Sequence, residues 1–479
     1  MKFTTRRNLV KGLAFGSLIV GFNPLTRSWV TNAEAASAGK LDRLPHLDGV
    51  LRRDEEALTA ASEDSGHFAH RRPIAVLEPG SVQDIARVVR FANEHDLRIA
   101  VRGHGHSIYG QSLVEGGIVI AMSSFAQARN LPGARVLADA GCPWGGVLQE
   151  TLKQGATPPV IPDYLELSVG GTLSIGGVSP TTYRYGAMVD NVEALQVVTG
   201  EGHIVTCSRH HREDLFNAVL AGQGQCAVLA RAVIRLVAAP ARVRAYSVLY
   251  PDVATALADA DRLVDERRFD GLVMFSFADG NGGHEIVMRA TKYYSPPAAP
   301  DDATMLAGMN FVPGAMQIDD LTYVENFSIT TGPFPQLPQP AISVVLPASA
   351  ATQWIESVLP RLNDADLGTY GAAQIFTWRT ARFQQPLMRV PDTEQKLVGF
   401  ALIRYAANAA QVDLMLKANR RMFEESRDLG GTLYPFTAVK LSRADWRRHY
   451  GESFDELARA KHCFDPRNVL ASGPDIFRS

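Results

Sequence analysis

The chain has 479 residues, room for roughly two to four units of about 100–200 residues each. Hydrophobic residues make up 46% and charged residues 20%, enough apolar material for a packed core, which excludes a disordered, collagen-like or coiled-coil protein. Lys and Arg number 48 against 50 Asp and Glu, a net charge of -2 with no long basic run, so a general electrostatic grip on nucleic acid is excluded as well.

The amino terminus reads as an address. Thr5-Arg6-Arg7 precedes Leu9, Val10 and Lys11, and an apolar run follows from Gly12 to Phe22. At a helical rise of about 1.5 Å per residue, that run falls short of a hydrocarbon core of roughly 30 Å, so no membrane span is expected. Ala33-Glu34-Ala35-Ala36 has the small residues of a signal-peptidase site, with cleavage expected after Ala35. The paired arginines match the twin-arginine pattern, which implies export of a folded, cofactor-loaded protein to the periplasm or beyond. Loss of residues 1–35 leaves 43 basic and 49 acidic residues, a net of -6. The four cysteines (Cys142, Cys207, Cys226, Cys463) form no CxxC pair, against a disulfide framework or a structural zinc site.

Beyond residue 70, short β-rich runs alternate with helical patterns. Ala75-Val76-Leu77 reads as a strand stopped by Pro79-Gly80, and Ser81 with Asp84 resembles a capping box. Val82, Ile85, Ala86, Val89 and Ala92 then share one helical face. Ile99-Ala100-Val101 is the next strand. A helix is expected over Trp144–Lys153, closed by Gly155, then strands over Val192–Thr199 and His203–Cys207 around Gly200-Glu201-Gly202. A helix over Asp214–Leu220 leads into one long strand, Cys226–Val237. Proline-rich stretches at 294–313 and 331–340 are loop signals between strands such as Ile342–Leu346 and Leu397–Arg404. A helix over Gln411–Arg427 ends at Gly430-Gly431. The expected division is a leader over 1–35, an α+β amino-terminal domain over 36–237, an inserted α+β domain over 238–430 and a carboxy-terminal return over 431–479.

Arg102-Gly103-His104-Gly105-His106-Ser107 stands where a strand ends. Two glycines one residue apart permit a tight turn whose amides can hold a diphosphate. Ile108 occupies the third glycine position of the dinucleotide fingerprint, which disfavours a Rossmann domain. His104 and His106 without a third ligand make a poor metal site, and no metal is expected. Alone, the turn fits a polar surface turn equally well. A second cluster, Gly170-Gly171-Thr172-Leu173-Ser174-Ile175-Gly176-Gly177, favours a large phosphate-bearing cofactor.

These two segments, with Asp163-Tyr164-Leu165, Tyr185-Gly186, Asp190-Asn191-Val192, His449-Tyr450-Gly451 and Phe464-Asp465-Pro466, resemble the vanillyl-alcohol-oxidase-type (PCMH-type) flavoproteins, and the cytokinin dehydrogenases most. The resemblance implies a two-part FAD-binding domain with an inserted substrate-binding cap. It implies that His106 carries one covalent FAD, since the cysteine that supplies a second link in some relatives has no counterpart near Tyr164. It carries flavin contacts onto Gly103, His104, Gly105, Ser107, Gln111, Asp163, Ser168, Ser174 and Val228. Asp163 becomes the catalytic base, although Pro162-Asp163 by itself reads as an ordinary turn. Phe376 and Trp378 are pocket candidates whose commoner fate is core packing. The family's tail tyrosine maps to Tyr434 or Phe436, its Leu-Ser-Pro-Gly-Gln run is Leu470-Ala-Ser-Gly-Pro474 here, and its second acidic substrate contact has no clear counterpart in 238–310.

The implied activity is oxidation of a C–H bond beside a secondary amine, turning N6-isoprenoid adenine into adenine and an aldehyde, with a quinone or oxygen as electron acceptor. An oxidase of sugars or other alcohols on the same fold is the alternative, and a periplasmic flavin- or ligand-binding protein without turnover is the non-enzyme alternative.

Overall fold

The computed structural model describes residues 19–23, 28–31, 41–330, 336–368, 371–470, 473–474 and 476–477. Of the expected leader, only the antiparallel pair Ile19–Asn23 and Ser28–Thr31 falls among them; the paired arginines and Ala33–Ala36 lie outside the described residues.

The architecture mixes helix and sheet. A four-stranded sheet is ordered Val50–Arg52, Ala75–Glu78, Ile118–Ala121, Ile99–Arg102, and its last three strands are parallel. Helix Val82–Glu94 provides the crossover, burying Val82, Ile85, Ala86, Val89 and Ala92 as the periodicity predicts. Asp84 does not complete a capping box. Ser81 Oγ accepts the Asp84 N–H, but the Asp84 carboxylate accepts from the backbone N–H groups of Asp48, Gly49 and Gly80 at 2.7–3.0 Å. Those donors otherwise lack partners, so a distant loop captures the carboxylate before the helix's own first turn.

A five-stranded antiparallel sheet follows, ordered Ile204–Ser208, Val192–Thr199, Ala227–Arg235, Arg135–Asp139, Ala128–Leu131. The single long strand expected over Cys226–Val237 is in fact two. Leu236 N–H turns to Ala134 O, and Val237–Ala238 pairs instead with Ala156–Thr157. Helices Trp144–Leu152 and Glu213–Val219 lie where the sequence predicts them. Both sheets share one apolar core, which the tail joins through Trp446, Tyr450, Phe454 and Leu457.

The central segment forms an eight-stranded antiparallel sheet drawn from Arg242–Leu433, with its own core. Its strands Ile342–Pro347, Ala372–Arg379 and Lys396–Ile403 are adjacent and turn one face to the amino-terminal domain. Helix Ala409–Asp428 backs this sheet, and Gly430, at φ +84°, ends it. Arg404 is buried, donating to Met415 O, Asn419 Oδ1 and Pro340 O. It ties this helix to the strand bearing the cavity wall. All four cysteines are free; burial pushes the thiols of Cys142, Cys207 and Cys226 up to about 12, out of the reactive range. Among the described residues no helix is long and apolar enough to cross a membrane.

Candidate active site

The two domains meet over a cavity of about 390 Å³. Its floor is backbone-rich. Strand Ile99–Arg102 delivers the chain into the glycine turn, where Gly105 has φ +79° and sits directly on the Arg102 guanidinium. Gly103 lies against Ser168, and a Cβ there would overlap Ser168 Oγ. The two glycine segments therefore interlock. Ser168 caps helix Val169–Ile175 by accepting the Gly171 N–H at 3.3 Å, while Gly170 packs on Ala140. Ser174 Oγ donates to Gly170 O at 2.7 Å from the cavity wall. Val228 lines the same cavity from strand Ala227–Arg235.

A buried carboxylate that the sequence reading did not single out sets the turn's shape. Asp64 accepts Gly110 N–H at 2.6 Å, Gly66 N–H at 3.1 Å and Ser107 Oγ–H at 3.1 Å. Burial raises its pKa, and those bonds and Arg102 oppose the rise. Ser107 also shares a 2.7 Å bond with Ser112. Gln111 accepts the Tyr109 N–H and reaches Thr437 O at 3.5 Å, so the turn is joined to the carboxy-terminal return.

His104 and His106 diverge in environment. His104 Nε2 lies 3.0 Å from Gly141 O. His106 is half-buried with its ring 4.8 Å from that of Tyr164, edge to face. Burial, with the charges of His104 and Arg102, lowers its pKa to about 4, which leaves a neutral imidazole at neutral pH. Among the described residues no group of three His, Cys, Asp or Glu is placed to hold a metal.

Asp163 follows Pro162 at the junction of floor and cap. It lies deep in the protein, but its side chain keeps some accessible surface because it faces the open cavity. Burial raises its pKa to about 6, and Arg289 works against that rise. Arg289 stands on cap strand His284–Tyr294 and donates to Asn326 Oδ1 at 3.2 Å. The cap thus sends a cation toward Asp163.

The cap wall is apolar and aromatic. Gln374, Phe376 and Trp378 alternate along one strand onto the cavity, with the Phe376 and Trp378 rings stacked at 5.4 Å. Trp378 lies over Gly399, the register partner of Phe376, where a Cβ would collide with its ring. Both aromatics are core and wall at once, buried in the cap core yet lining the cavity. Tyr434 and Phe436 both reach the cavity, and Tyr434 Oη accepts the Gly177 N–H at 3.1 Å, fastening the return to the second glycine segment. Gln223 and Gly224, which the sequence reading passed over, complete the wall. Gln223 Nε2 donates to Tyr450 Oη at 2.6 Å, and Gly224, at φ +69°, has nothing within 4 Å of a Cβ position. The tail is held by a buried pair: Lys461 Nζ donates to Asp465 Oδ2 (2.6 Å), Gln225 O and Leu470 O, while Asp465 accepts the Val469 and Leu470 N–H groups. Gly473 packs on Gln111; Ala471 and Ser472 lie outside the described residues.

These residues fit an extended, phosphate-bearing cofactor. Bare backbone at Gly224 opens onto the cavity, two interlocked glycine segments frame it, and hydroxyls and a neutral histidine line it. The comparisons agree. A family described as an FAD binding domain matches residues 73–208, and one described as cytokinin dehydrogenase 1, FAD and cytokinin binding, matches 287–477. An uncharacterized oxidoreductase from the fasciation locus of Rhodococcoides fascians is 34% identical over 89% of this chain and 99% of its own. Cytokinin dehydrogenase 9 of Oryza sativa subsp. japonica is 32% identical over 88% of this chain and 89% of its own. In fold, the chain is similar to 6-hydroxy-D-nicotine oxidase from Arthrobacter nicotinovorans (TM-score 0.73, 19% identity, 91% of this chain and 100% of that one). It is equally similar to xylooligosaccharide oxidase from Myceliophthora thermophila C1 (TM-score 0.74, 17% identity, 93% and 99%). The chain belongs to the cytokinin dehydrogenase family of FAD-binding oxidoreductases, on the vanillyl-alcohol-oxidase-type fold.

Proposed function

We propose that this protein is an exported cytokinin dehydrogenase-type enzyme that oxidises the C–H bond beside the secondary amine of an N6-isoprenoid adenine. The observation that carries this reading is the contrast at the cavity's junction. Asp163, with its pKa raised to about 6, faces a cavity whose cap lining is mostly apolar and carries Phe376, Trp378 and Phe400, with Arg289 acting on the carboxylate from the cap. A flat aromatic amine with a hydrocarbon tail suits the apolar part of that wall.

FAD, once bound, supplies the hydride acceptor. Asp163 is mostly ionised at neutral pH and takes the proton of the substrate N–H. The substrate thereby loses a hydride and a proton, and the resulting imine adds water to give adenine and an aldehyde. Phe376 and Trp378 hold the substrate flat and keep water from it. His106, neutral at working pH, offers the ring nitrogen for a single covalent bond to the flavin. Thr5-Arg6-Arg7 and the Ala33–Ala36 run support passage through the twin-arginine export machinery, and a covalent flavin suits a compartment in which lost cofactor is not replaced. Electrons then pass to a quinone or to oxygen.

The test is anaerobic titration of the purified mature protein with isopentenyl adenine, after checking that the yellow colour survives denaturation. Retained colour with bleaching is the expected result. Retained colour with bleaching by polyols alone would replace the amine by an alcohol, and colour lost on denaturation would remove the His106 linkage.

A further inference from the structure

A second cavity, of about 270 Å³, lies where helix Thr182–Tyr185 meets the end of helix Val253–Glu266 and the cap segments 379–382 and 395–396. Its lining carries five cationic side chains: Arg184, Arg267, Arg379, Arg382 and Lys396. Three are matched by carboxylates. Arg184 pairs with Asp270, Arg379 with Asp261 and Asp265 at 2.8 and 2.7 Å, and Lys396 with Asp261 at 2.6 Å. The remaining two are not: among the described residues no carboxylate lies within ion-pair distance of Arg267 or Arg382, so this concave site keeps two uncompensated guanidinium charges.

Two guanidiniums lining one polar hollow, exposed Arg267 and half-buried Arg382, suit a tetrahedral dianion, because each can donate two parallel hydrogen bonds to its oxygens. The matched pairs hold Arg379 and Lys396 in place as the hollow's walls. We propose that this cavity binds a phosphate group, as a phosphomonoester or as free phosphate, on Arg267 and Arg382. The site is separate from the flavin cavity: no residue lines both.

The experiment is calorimetric titration of the purified holoprotein at low ionic strength with inorganic phosphate and with glycerol 3-phosphate, using chloride at matched ionic strength as control. Saturable binding of either phosphate compound, absent for chloride, is expected. R267Q and R382Q, made separately, should each weaken it about tenfold with the flavin spectrum unchanged. Tighter binding of glycerol 3-phosphate assigns the site to an ester, and equal binding assigns it to free phosphate. No saturable binding by either compound, or binding that survives both substitutions, overturns the proposal.

Discussion

Two walls face one another across the flavin cavity, and they are made of different material. The floor is backbone: glycines at 103, 105, 170 and 171, a capped helix start at Ser168, and amides oriented by a buried Asp64. The cap wall is largely side chain: residues of three neighbouring strands, among them stacked Phe376 and Trp378. Backbone recognition suits a group that every family member must hold in the same way. Side-chain recognition can be rewritten residue by residue without touching the strand ladder. Asp163 stands between the two walls and belongs chemically to both.

The sharpest way to break the comparison is at that boundary. Asp163→Asn keeps the shape and removes the base, so kcat/KM for isopentenyl adenine should fall by roughly 10²–10⁴-fold while flavin content and absorbance stay unchanged. Stopped-flow bleaching under anaerobic conditions measures it; a rate within threefold of the parent would remove Asp163 from the chemistry.

The floor breaks next, and differently. Gly103→Ala sets a methyl into Ser168 Oγ, an overpacking expected to cost about 1–3 kcal/mol and to lower flavin content. Because the obstruction is a side chain, Ser168→Gly in the same chain should recover part of that loss, despite losing the helix cap. Thermal unfolding of the four-member cycle reads the coupling. On the cap wall, Trp378→Leu should raise KM about tenfold with kcat within about threefold, the signature of binding lost equally from ground and transition states. Asp163→Asn, Gly103→Ala and Trp378→Leu together separate base, cradle and wall by their readouts.

The same division explains what the sequence disclosed. Gly103, Gly105 and Gly170 were legible because a backbone-built wall restricts which residues can stand there, and that restriction is written locally, whereas Ser168 came only through the family resemblance. Phe376 and Trp378 were legible as pocket candidates whose commoner fate is core packing, and the fold gives them both places. Residues that act across long separations left no local mark. Asp64 reaches Gly110 over 46 positions, and Tyr434 reaches Gly177 over 257. Asp84 misled for that reason: Ser81 and Asp84 have the spacing of a capping box, yet the carboxylate serves the loop at 48–49. The break at Leu236 was likewise hidden, because a β-rich run does not record a change of pairing partner.

Arg289 is the subtlest case and yields the smallest expected effect. The family's second acidic substrate contact has no clear counterpart in 238–310, and the fold brings a cation from that segment toward Asp163. Burial drives the carboxyl up to about 6, and the guanidinium restrains it there. A base must be ionised to accept a proton, so activity should fall as pH drops through the Asp163 pKa. Removing the positive charge raises that pKa further, and Arg289→Gln should move the acid limb of the kcat/KM profile upward by up to about one unit. Rates well above the limb should change little, because Asp163 is ionised there in both proteins. A uniform loss at every pH would instead make Arg289 a packing residue of the strand, so the profile's shape, rather than its height, decides whether the cap wall tunes the base as well as holding the substrate.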